Sequence, residues 1–220
     1  MNSELKKRIL TSVLLFSLLA GMYFYSFIMI ISLIIIGVII WIEFYAMILK
    51  IFPRKKLKHS FLRFLFKILS LSYLALLIYV IFIIESSYPN LKIYILYSIL
   101  VAICSDIGGL VFGKIFKGKK LTRISPNKTI SGSIGAYVFS LFLLIFFHKE
   151  LFNYDFLILS LITVLISTTS QLGDLFISLL KRKAKVKDTS DILPGHGGFL
   201  DRVDGIIFAL PMGILLFNLF

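Results

Sequence analysis

Cysteine is nearly missing from this chain, because Cys104 is the only one among its 220 residues. A lone cysteine inside an apolar run excludes a disulfide framework and a thiolate metal site, and it is typical of a small packed hydrophobe. Acidic residues are also few: 11 stand against 24 lysines and arginines, so the formal net charge is +13. Long stretches carry no charge at all, which excludes an ordinary soluble domain.

The chain is instead rich in long apolar runs. Hydrophobic residues make up 59% of it, compared with about 45–50% in soluble domains. About 20 consecutive apolar residues cross the hydrocarbon core of a bilayer, so the runs predict an all-α fold, a polytopic membrane helix bundle with about seven transmembrane helices. The first run is about twice the ~30 Å core thickness and is expected to fold back near Gly21–Ser26. The expected spans are Ile9–Met22, Phe27–Leu49, Phe64–Ile84, Leu91–Val111, Ser131–Phe147, Phe156–Ile177 and Val203–Phe220.

The basic residues lie between the apolar runs. If the N-terminus is cytoplasmic and seven spans alternate, 22 of the 24 lysines and arginines fall on the cytoplasmic side. This bias predicts a cytoplasmic N-terminus, a multi-pass protein of the inner (cytoplasmic) membrane and a site on the cytoplasmic side.

The basic N-terminus resembles a signal peptide but has no clear cleavage site, so we expect a retained helix. Anionic headgroups of the lipid bilayer and phosphate-bearing substrates are the expected partners, with no nucleic acid.

Two parts are predicted. Residues 1–90 would hold three membrane helices and a basic cytoplasmic loop, and residues 91–220 would form a catalytic membrane domain of four spans. In the first part, Glu43 lies beside Trp41 and Tyr45. We interpret it as an interfacial carboxylate in an aromatic belt.

The stretch from Gln171 to Asp204 concentrates the polar chemistry, with five carboxylates, six cations, a histidine and a run of glycines. Polar groups at membrane depth are expensive, so their presence at a span end indicates function. Asp174 ends one span, and Asp201 and Asp204 begin the next. Consecutive spans are antiparallel, so Asp174 and Asp201 are expected to face each other, which requires a cation between them. Carboxylates with substrate phosphates are ligands that Mg²⁺ accepts.

The two motif-rich loops carry further expectations. Asp201 and Asp204 are three apart and would share a face if a helix begins there. The run Pro194–Gly198 cannot form ordinary helix, so its N–H groups are expected to be free for an anion. An earlier loop offers Ser125 and Lys128 as phosphate contacts, and Gly108 and Gly109 are expected to allow close helix packing.

The residues from Ser178 to Asp204 resemble the full signature of the phosphatidate cytidylyltransferases (CDP-diacylglycerol synthases). The matching pattern is Ser178-x2-Lys181-Arg182-x4-Lys187-Asp188-x-Ser190-x2-Leu193-Pro194-x-His196-Gly197-Gly198-Phe199-x-Asp201-Arg202-Val203-Asp204. Gln171-x-Gly173-Asp174 and the block from Asp106 to Gly132 are similar to the same family, except that Ser131 stands where the family usually has Glu. The resemblance covers about Ile103 to the C-terminus. The N-terminal half is similar only in hydropathy and looks about two spans shorter.

The resemblance implies that CTP and phosphatidic acid give CDP-diacylglycerol and pyrophosphate. It implies one or two Mg²⁺ at Asp174, Asp201 and Asp204, with a monovalent cation as a further candidate and a homodimer as an option. The implied catalytic residues are Asp174, Asp201, Lys181, Arg182, Asp188, His196, Arg202 and Asp204. The implied substrate-binding residues are Ser125, Lys128, Thr129, Lys187, Gly197, Gly198 and Asp106.

Three alternatives stay open at this point. A CTP-dependent kinase of a polyprenol or other lipid alcohol, from the same superfamily, would use the same nucleotide. A small membrane transporter or channel would use Asp106 and Asp174 along a path, and a membrane scaffold would need none of these carboxylates. A CDP-alcohol phosphotransferase is disfavoured because its D-G-x2-A-R pattern is missing.

Overall fold

The computed structural model of the chain describes residues 3–53, 57–122, 125, 128–149, 151, 154–195 and 197–219. Over these residues the chain is helical, and its only β pairings are two isolated bridges. The predicted all-α class is therefore confirmed. The helices are α1 (Ser3–Phe24), α2 (Ser26–Ile51), α3 (Leu57–Ser87), α4 (Lys92–Phe116), α5 (Ile130–Phe142), α6 (Leu144–Phe147), α7 (Phe156–Lys183), α8 (Leu200–Val203) and α9 (Ile206–Leu219).

Several helices are long and apolar enough to cross a membrane, which confirms a polytopic membrane bundle. Shorter apolar stretches lie in α1, at Ile9–Phe24, and in the 14 residues of α9. The total of seven spans and the cytoplasmic N-terminus stay predictions. The five long stretches are Ser26–Ile51, Leu57–Ser87, Pro89–Phe116, Ile130–Phe147 and Phe156–Lys183.

Helix α7 extends further than its apolar run. The expected span ended at Ile177, but the helix continues to Lys183. Its last turn carries three consecutive cations, Lys181, Arg182 and Lys183. Cations are favourable near the exposed carbonyls of a helix C-terminus, so this polar end remains helical. The polar loop between α7 and α8 therefore begins after Lys183.

The last apolar run is broken near its start. Helix α8 ends at Val203, Asp204 and Gly205 form a turn, and α9 begins at Ile206. The N–H of Gly205 donates to Oδ1 of Asp204 at 2.9 Å, a local bond that competes with helix formation. One continuous helix does not carry Asp201 and Asp204, so the expectation that they share a helix face does not hold.

The chain forms two compact units. The first contains residues 1–89 and 180–203, and the second contains residues 90–179 and 204–220. In the first unit α2 packs against α1, α3 and α8; in the second α4 packs against α5 and α9. The predicted functional division at residue 90 stays a prediction.

The core of the second unit contains polar side chains that bond to one another between helices. The hydroxyls of Tyr97 and Thr163 are 2.5 Å apart, and both residues are fully buried. Ser167 donates to Ser105 at 3.1 Å and accepts from Ser140 at 3.2 Å. Lipid offers no hydrogen-bond partners, so such pairs both satisfy the hydroxyls and join the helices.

Glycines bring α4 and α5 into backbone contact. A Cβ built on Gly108 would collide with the carbonyl oxygen of Gly135. A Cβ on Gly109, the next residue, would lie 3.7 Å from the carbonyl oxygen of Gly132, an ordinary contact. The expectation of close packing at Gly108 and Gly109 is confirmed, and only Gly108 lacks room for a side chain.

This difference can be measured. Gly108→Ala should destabilise the protein by about 1–3 kcal/mol, because the two backbones must move apart. Gly109→Ala is the matched control and should be neutral or stabilising, because alanine favours helix more than glycine. Thermal unfolding in detergent reports both changes. Equal melting temperatures for the two variants would contradict the packing described here.

Candidate active site

Asp201 is a buried carboxylate of the first unit that accepts four hydrogen bonds. Its side chain is 3% exposed, and Lys181 Nζ lies 2.7 Å from Oδ1. Three donors approach the other oxygen, Oδ2: the N–H of Thr189 at 2.8 Å, the Thr189 hydroxyl at 3.0 Å and the N–H of Gly198 at 3.1 Å. Both oxygens are thus satisfied within the unit.

These contacts set the ionisation of Asp201. Burial raises the pKa of its carboxyl group, but the hydrogen bond and charge of Lys181 and the N–H groups of Thr189 and Gly198 outweigh burial. The net pKa lies below its ordinary value of 3.8. Asp201 is therefore a carboxylate at neutral pH, as its predicted role requires.

Glu43 is a residue that sequence reasoning missed. Its side chain is 2% exposed, so the interpretation as an interfacial carboxylate is wrong. The signature loop, residues 184–200, lies between the end of α7 and the first residue of α8. Glu43 accepts hydrogen bonds from four of its residues, Thr189, Ser190, Phe199 and Leu200. The only signal in the sequence was a carboxylate inside an apolar run, which indicates function by default.

The glycine run forms a tight turn. Leu193 and Gly197 pair through both backbone groups, with N···O distances of 2.9 and 3.1 Å. Gly195 and Gly197 have φ of 77° and 83°, a conformation that favours glycine. Two of the N–H groups expected to be free are occupied: Gly197 donates to Leu193 and Gly198 donates to Asp201. His196, predicted as a catalytic residue, lies outside the described residues.

A cavity of about 540 Å³ opens in this part of the first unit. Four predicted site residues line it, and two of them are cations. The full lining is Lys187, Asp188, Asp191, Leu193, Pro194, Gly195, Gly197 and Arg202.

Asp174 has its own lysine in the second unit. Lys128 forms an ion pair with Asp174, whose Oδ1 also accepts from the Ser178 hydroxyl at 3.2 Å. Backbone bonds position the lysine, because Leu121 N–H donates to its carbonyl and its own N–H donates to the carbonyl of Ser125. The structure therefore brings together Lys128 and Asp174, which the sequence placed in separate motifs.

Thr129 and Ser131 shape the start of α5. The Thr129 hydroxyl accepts from the N–H of Gly132 at 3.1 Å and so caps the helix. The Ser131 hydroxyl donates to the carbonyl of Lys117, which has φ of 49° and precedes Gly118 with φ of 115°. Ser131, where the family usually has Glu, thus holds the turn that follows α4.

The remaining predicted residues differ in exposure. Asp106 is exposed on α4, Arg182 is exposed in the last turn of α7, and Asp204 is buried. Asp174 and Asp204 belong to the second unit and Asp201 to the first. Their meeting at one metal ion stays a prediction.

The carboxylates have the hard oxygen donors that Mg²⁺ takes. Among the described residues, however, no group of three or more His, Cys, Asp or Glu side chains is placed to hold a metal. Lysines and backbone donors occupy the oxygens of Asp174 and Asp201 instead. The donor chemistry fits a divalent cation, although a preformed cluster is not seen in the described part of the chain.

Fold and site together define a multi-pass membrane protein with lysine–aspartate pairs and a polar cavity. A family model described as the Cytidylyltransferase family matches residues 1–220, and the chain belongs to that family.

Three relatives are named Phosphatidate cytidylyltransferase. The protein of Staphylococcus haemolyticus (strain JCSC1435) is 46% identical over 123 residues, which is 54% of this chain and 46% of the relative. That of Staphylococcus aureus (strain COL) is 46% identical over 121 residues, with the same shares. That of Bacillus subtilis (strain 168) is 43% identical over 129 residues, 58% of this chain and 48% of the relative. The chain spans about half the length of the curated relatives it matches.

The Lys181–Asp201 pair predicts a pH effect. Because folding lowers the pKa of Asp201, the contacts of its carboxylate stabilise the protein above pH 3.8 and are lost as pH falls through the folded pKa. Lys181→Met removes the cation, so the pKa of Asp201 should rise and the loss of stability between neutral and acid pH should be smaller than in the wild type. Near pH 7 the variant should lose about 3 kcal/mol, roughly 6 °C or more in melting temperature.

Melting temperature measured between pH 3 and 7 in detergent tests this prediction. Lys183→Met is the matched control, because Lys183 is an exposed lysine of the same helical turn. Its pH profile should follow that of the wild type. A Lys181→Met profile indistinguishable from the control would contradict the assigned role of the pair.

Proposed function

We propose that this protein transfers a cytidylyl group from CTP to phosphatidic acid, giving CDP-diacylglycerol and pyrophosphate. The observation that carries the proposal is the cavity of about 540 Å³ in the signature loop. Its volume is typical of small-molecule sites, and most of its lining residues are signature positions. Family membership and the names of the relatives support the same activity.

The chemistry joins two anions. A phosphate oxygen of phosphatidic acid attacks the α-phosphorus of CTP, the new O–P bond forms, and the bond from the α-phosphorus to the bridging oxygen breaks to release pyrophosphate. A phosphate monoester is largely dianionic near neutral pH, so no general base is needed. Charge neutralisation is the main catalytic task.

Lysine and arginine side chains suit that task. In this proposal Lys181, Arg182 and Lys128 bind phosphate oxygens, and the cations of the cavity, Lys187 and Arg202, add positive charge around the nucleotide. The lysine partners of Asp174 and Asp201 keep these carboxylates charged and compensated when no substrate is bound. On substrate binding the lysines would turn to the phosphates, which would free Oδ1 of Asp201 and Oδ2 of Asp174.

Asp174 and Asp201, with Asp204, would hold one or two Mg²⁺. The metal would supply positive charge at the CTP phosphates. Asp188 lines the cavity beside Lys187 and Arg202, and in this proposal it supports the metal-binding carboxylates. The reaction takes place on the cytoplasmic side of the inner membrane, where CTP is available and where the basic loops are expected.

Labelled CTP distinguishes this activity from that of a lipid-alcohol kinase. The purified protein in detergent is incubated with phosphatidic acid, Mg²⁺ and CTP labelled at the α- or the γ-phosphate. We expect the α-label in the lipid fraction and the γ-label in pyrophosphate. Transfer of the γ-label to lipid would instead indicate a kinase, and ion flux in liposomes without CTP would indicate a transporter.

Asp201→Asn tests the proposed metal ligand. The amide removes the negative charge at nearly constant volume, so CDP-diacylglycerol formation should fall about a hundredfold or more. Asp174→Asn should have a comparable effect. Asp155→Asn is the control, because Asp155 is an exposed carboxylate just before α7. Near-normal turnover in Asp201→Asn, in protein whose melting shows that it is folded, would refute the assignment.

A further inference from the structure

Glu43 is the buried carboxylate of an otherwise apolar stretch of α2. It lies inside a helix with the properties of a membrane span, where an unpaired charge would be very costly. Four donors surround it, two on each oxygen. Oε1 accepts from the Ser190 hydroxyl at 2.5 Å and the Phe199 N–H at 3.0 Å. Oε2 accepts from the Thr189 hydroxyl at 3.0 Å and the Leu200 N–H at 2.7 Å.

The donors come from the two ends of one loop. Thr189 and Ser190 lie at one end of residues 189–200. Phe199 and Leu200 lie at the other end, where α8 begins. Each oxygen of Glu43 receives one donor from each end, so the side chain closes residues 189–200 into a loop. The turn and most of the cavity wall lie between these ends.

Thr189 connects Glu43 to Asp201. Its hydroxyl lies 3.0 Å from Oε2 of Glu43 and 3.0 Å from Oδ2 of Asp201. The Thr189 N–H also donates to Asp201. Thr189 is therefore bonded to Glu43 and also orients the Asp201 carboxylate.

Gly198 provides independent support for this arrangement. A Cβ built there would come within 2.9 Å of Oε2 of Glu43 and within 2.9 Å of the Ser190 nitrogen, and it would collide with the Thr189 hydroxyl. A side chain of any size is thus excluded while Glu43 occupies its place. The signature glycine has a packing reason at this position in addition to its predicted role with substrate.

We infer that Glu43 is a positioning residue for the proposed cytidylyl transfer, an inference that rests on the function proposed above. Glu43 holds residues 189–190 and 199–200 of the signature loop. Through Thr189 it keeps Asp201 within hydrogen-bond distance of Lys181. It acts through these residues, because its oxygens are directed to the loop. Its loss should therefore reduce turnover by misplacing Asp201 and Lys181.

The substitution Glu43→Gln tests this role at nearly constant size. An amide has one acceptor oxygen and an NH₂ donor, so two of the four donors would face another donor. We expect kcat to fall about 10- to 100-fold, as for residues that orient a reacting group, while KM for phosphatidic acid stays unchanged. Hydrogen exchange followed by mass spectrometry should show faster exchange in a peptide covering residues 197–200.

Glu85→Gln is the matched control. Glu85 is also a glutamate in an apolar helix of the first unit, and it accepts from the Ser26 hydroxyl at 2.5 Å. The chemical change is the same, but this hydrogen bond joins Glu85 to Ser26 of α2 and not to the signature loop. Its kcat and its exchange in residues 197–200 should match the wild type. Should Glu43→Gln fail to fold, Ser190→Ala removes one of the four donors and should give a smaller loss in the same direction.

Two outcomes would overturn the inference. One is a folded Glu43→Gln protein with the kcat and loop exchange of Glu85→Gln. The other is faster exchange throughout the chain with an unchanged kcat per folded molecule, which would show a general role in stability. If the wild type does not form CDP-diacylglycerol at all, the proposed function fails; the exchange comparison then decides by itself whether Glu43 holds the loop.

Discussion

A carboxylate can remain charged away from water only if cations or N–H and O–H groups surround it, and Asp201 satisfies this constraint in full. Lys181 provides the charge, and Thr189 and Gly198 provide backbone donors. The lysine lies in the last turn of α7, and the backbone donors lie in the loop that follows this helix. The polar end of α7, the turn at the glycines and the start of α8 are therefore shaped by the requirements of one side chain.

The second unit meets the same constraint with a different arrangement. Asp174 lies within a membrane-spanning helix, and its cation, Lys128, reaches it from the loop before α5. Hairpin-like backbone bonds position that lysine, and the Thr129 cap fixes where α5 begins. Each unit thus carries its own aspartate and its own lysine. Such pairs keep cations and carboxylates available, as the proposed function requires, without an uncompensated charge in the membrane.

Much of this could be predicted from the sequence because the physical signals were local. Apolar runs predicted the helices, and small residues predicted close helix packing at Gly108, although not that its partner would be α5. The break at Asp204 could not be predicted from hydropathy, since the apolar run continues past it and the turn is marked by a side-chain bond between Asp204 and Gly205. The occupied N–H of Gly197 was missed for a similar reason: composition shows that a turn is needed but does not show where its donors point.

Glu43 shows more clearly which contacts could not be predicted from the sequence. Its partners lie about 150 positions further along the chain, at Thr189 and Leu200 among others. No pattern within α2 indicates them, so the neighbouring Trp41 and Tyr45 suggested an aromatic belt. These two rings do stack, and Lys67 lies 5.7 Å from the centroid of each. The aromatic belt therefore stays a prediction for these rings, and the interfacial interpretation is wrong for the buried carboxylate between them.

The Thr189 hydroxyl carries a single hydrogen but has two carboxylates at the same distance. If Asp201 takes another ligand, rotation about the C–O bond lets the hydroxyl donate to Glu43 alone. The backbone N–H groups of Thr189 and Gly198 need not move. One contact of Asp201 can thus be released while the loop keeps its backbone in place, because only a single hydrogen changes direction.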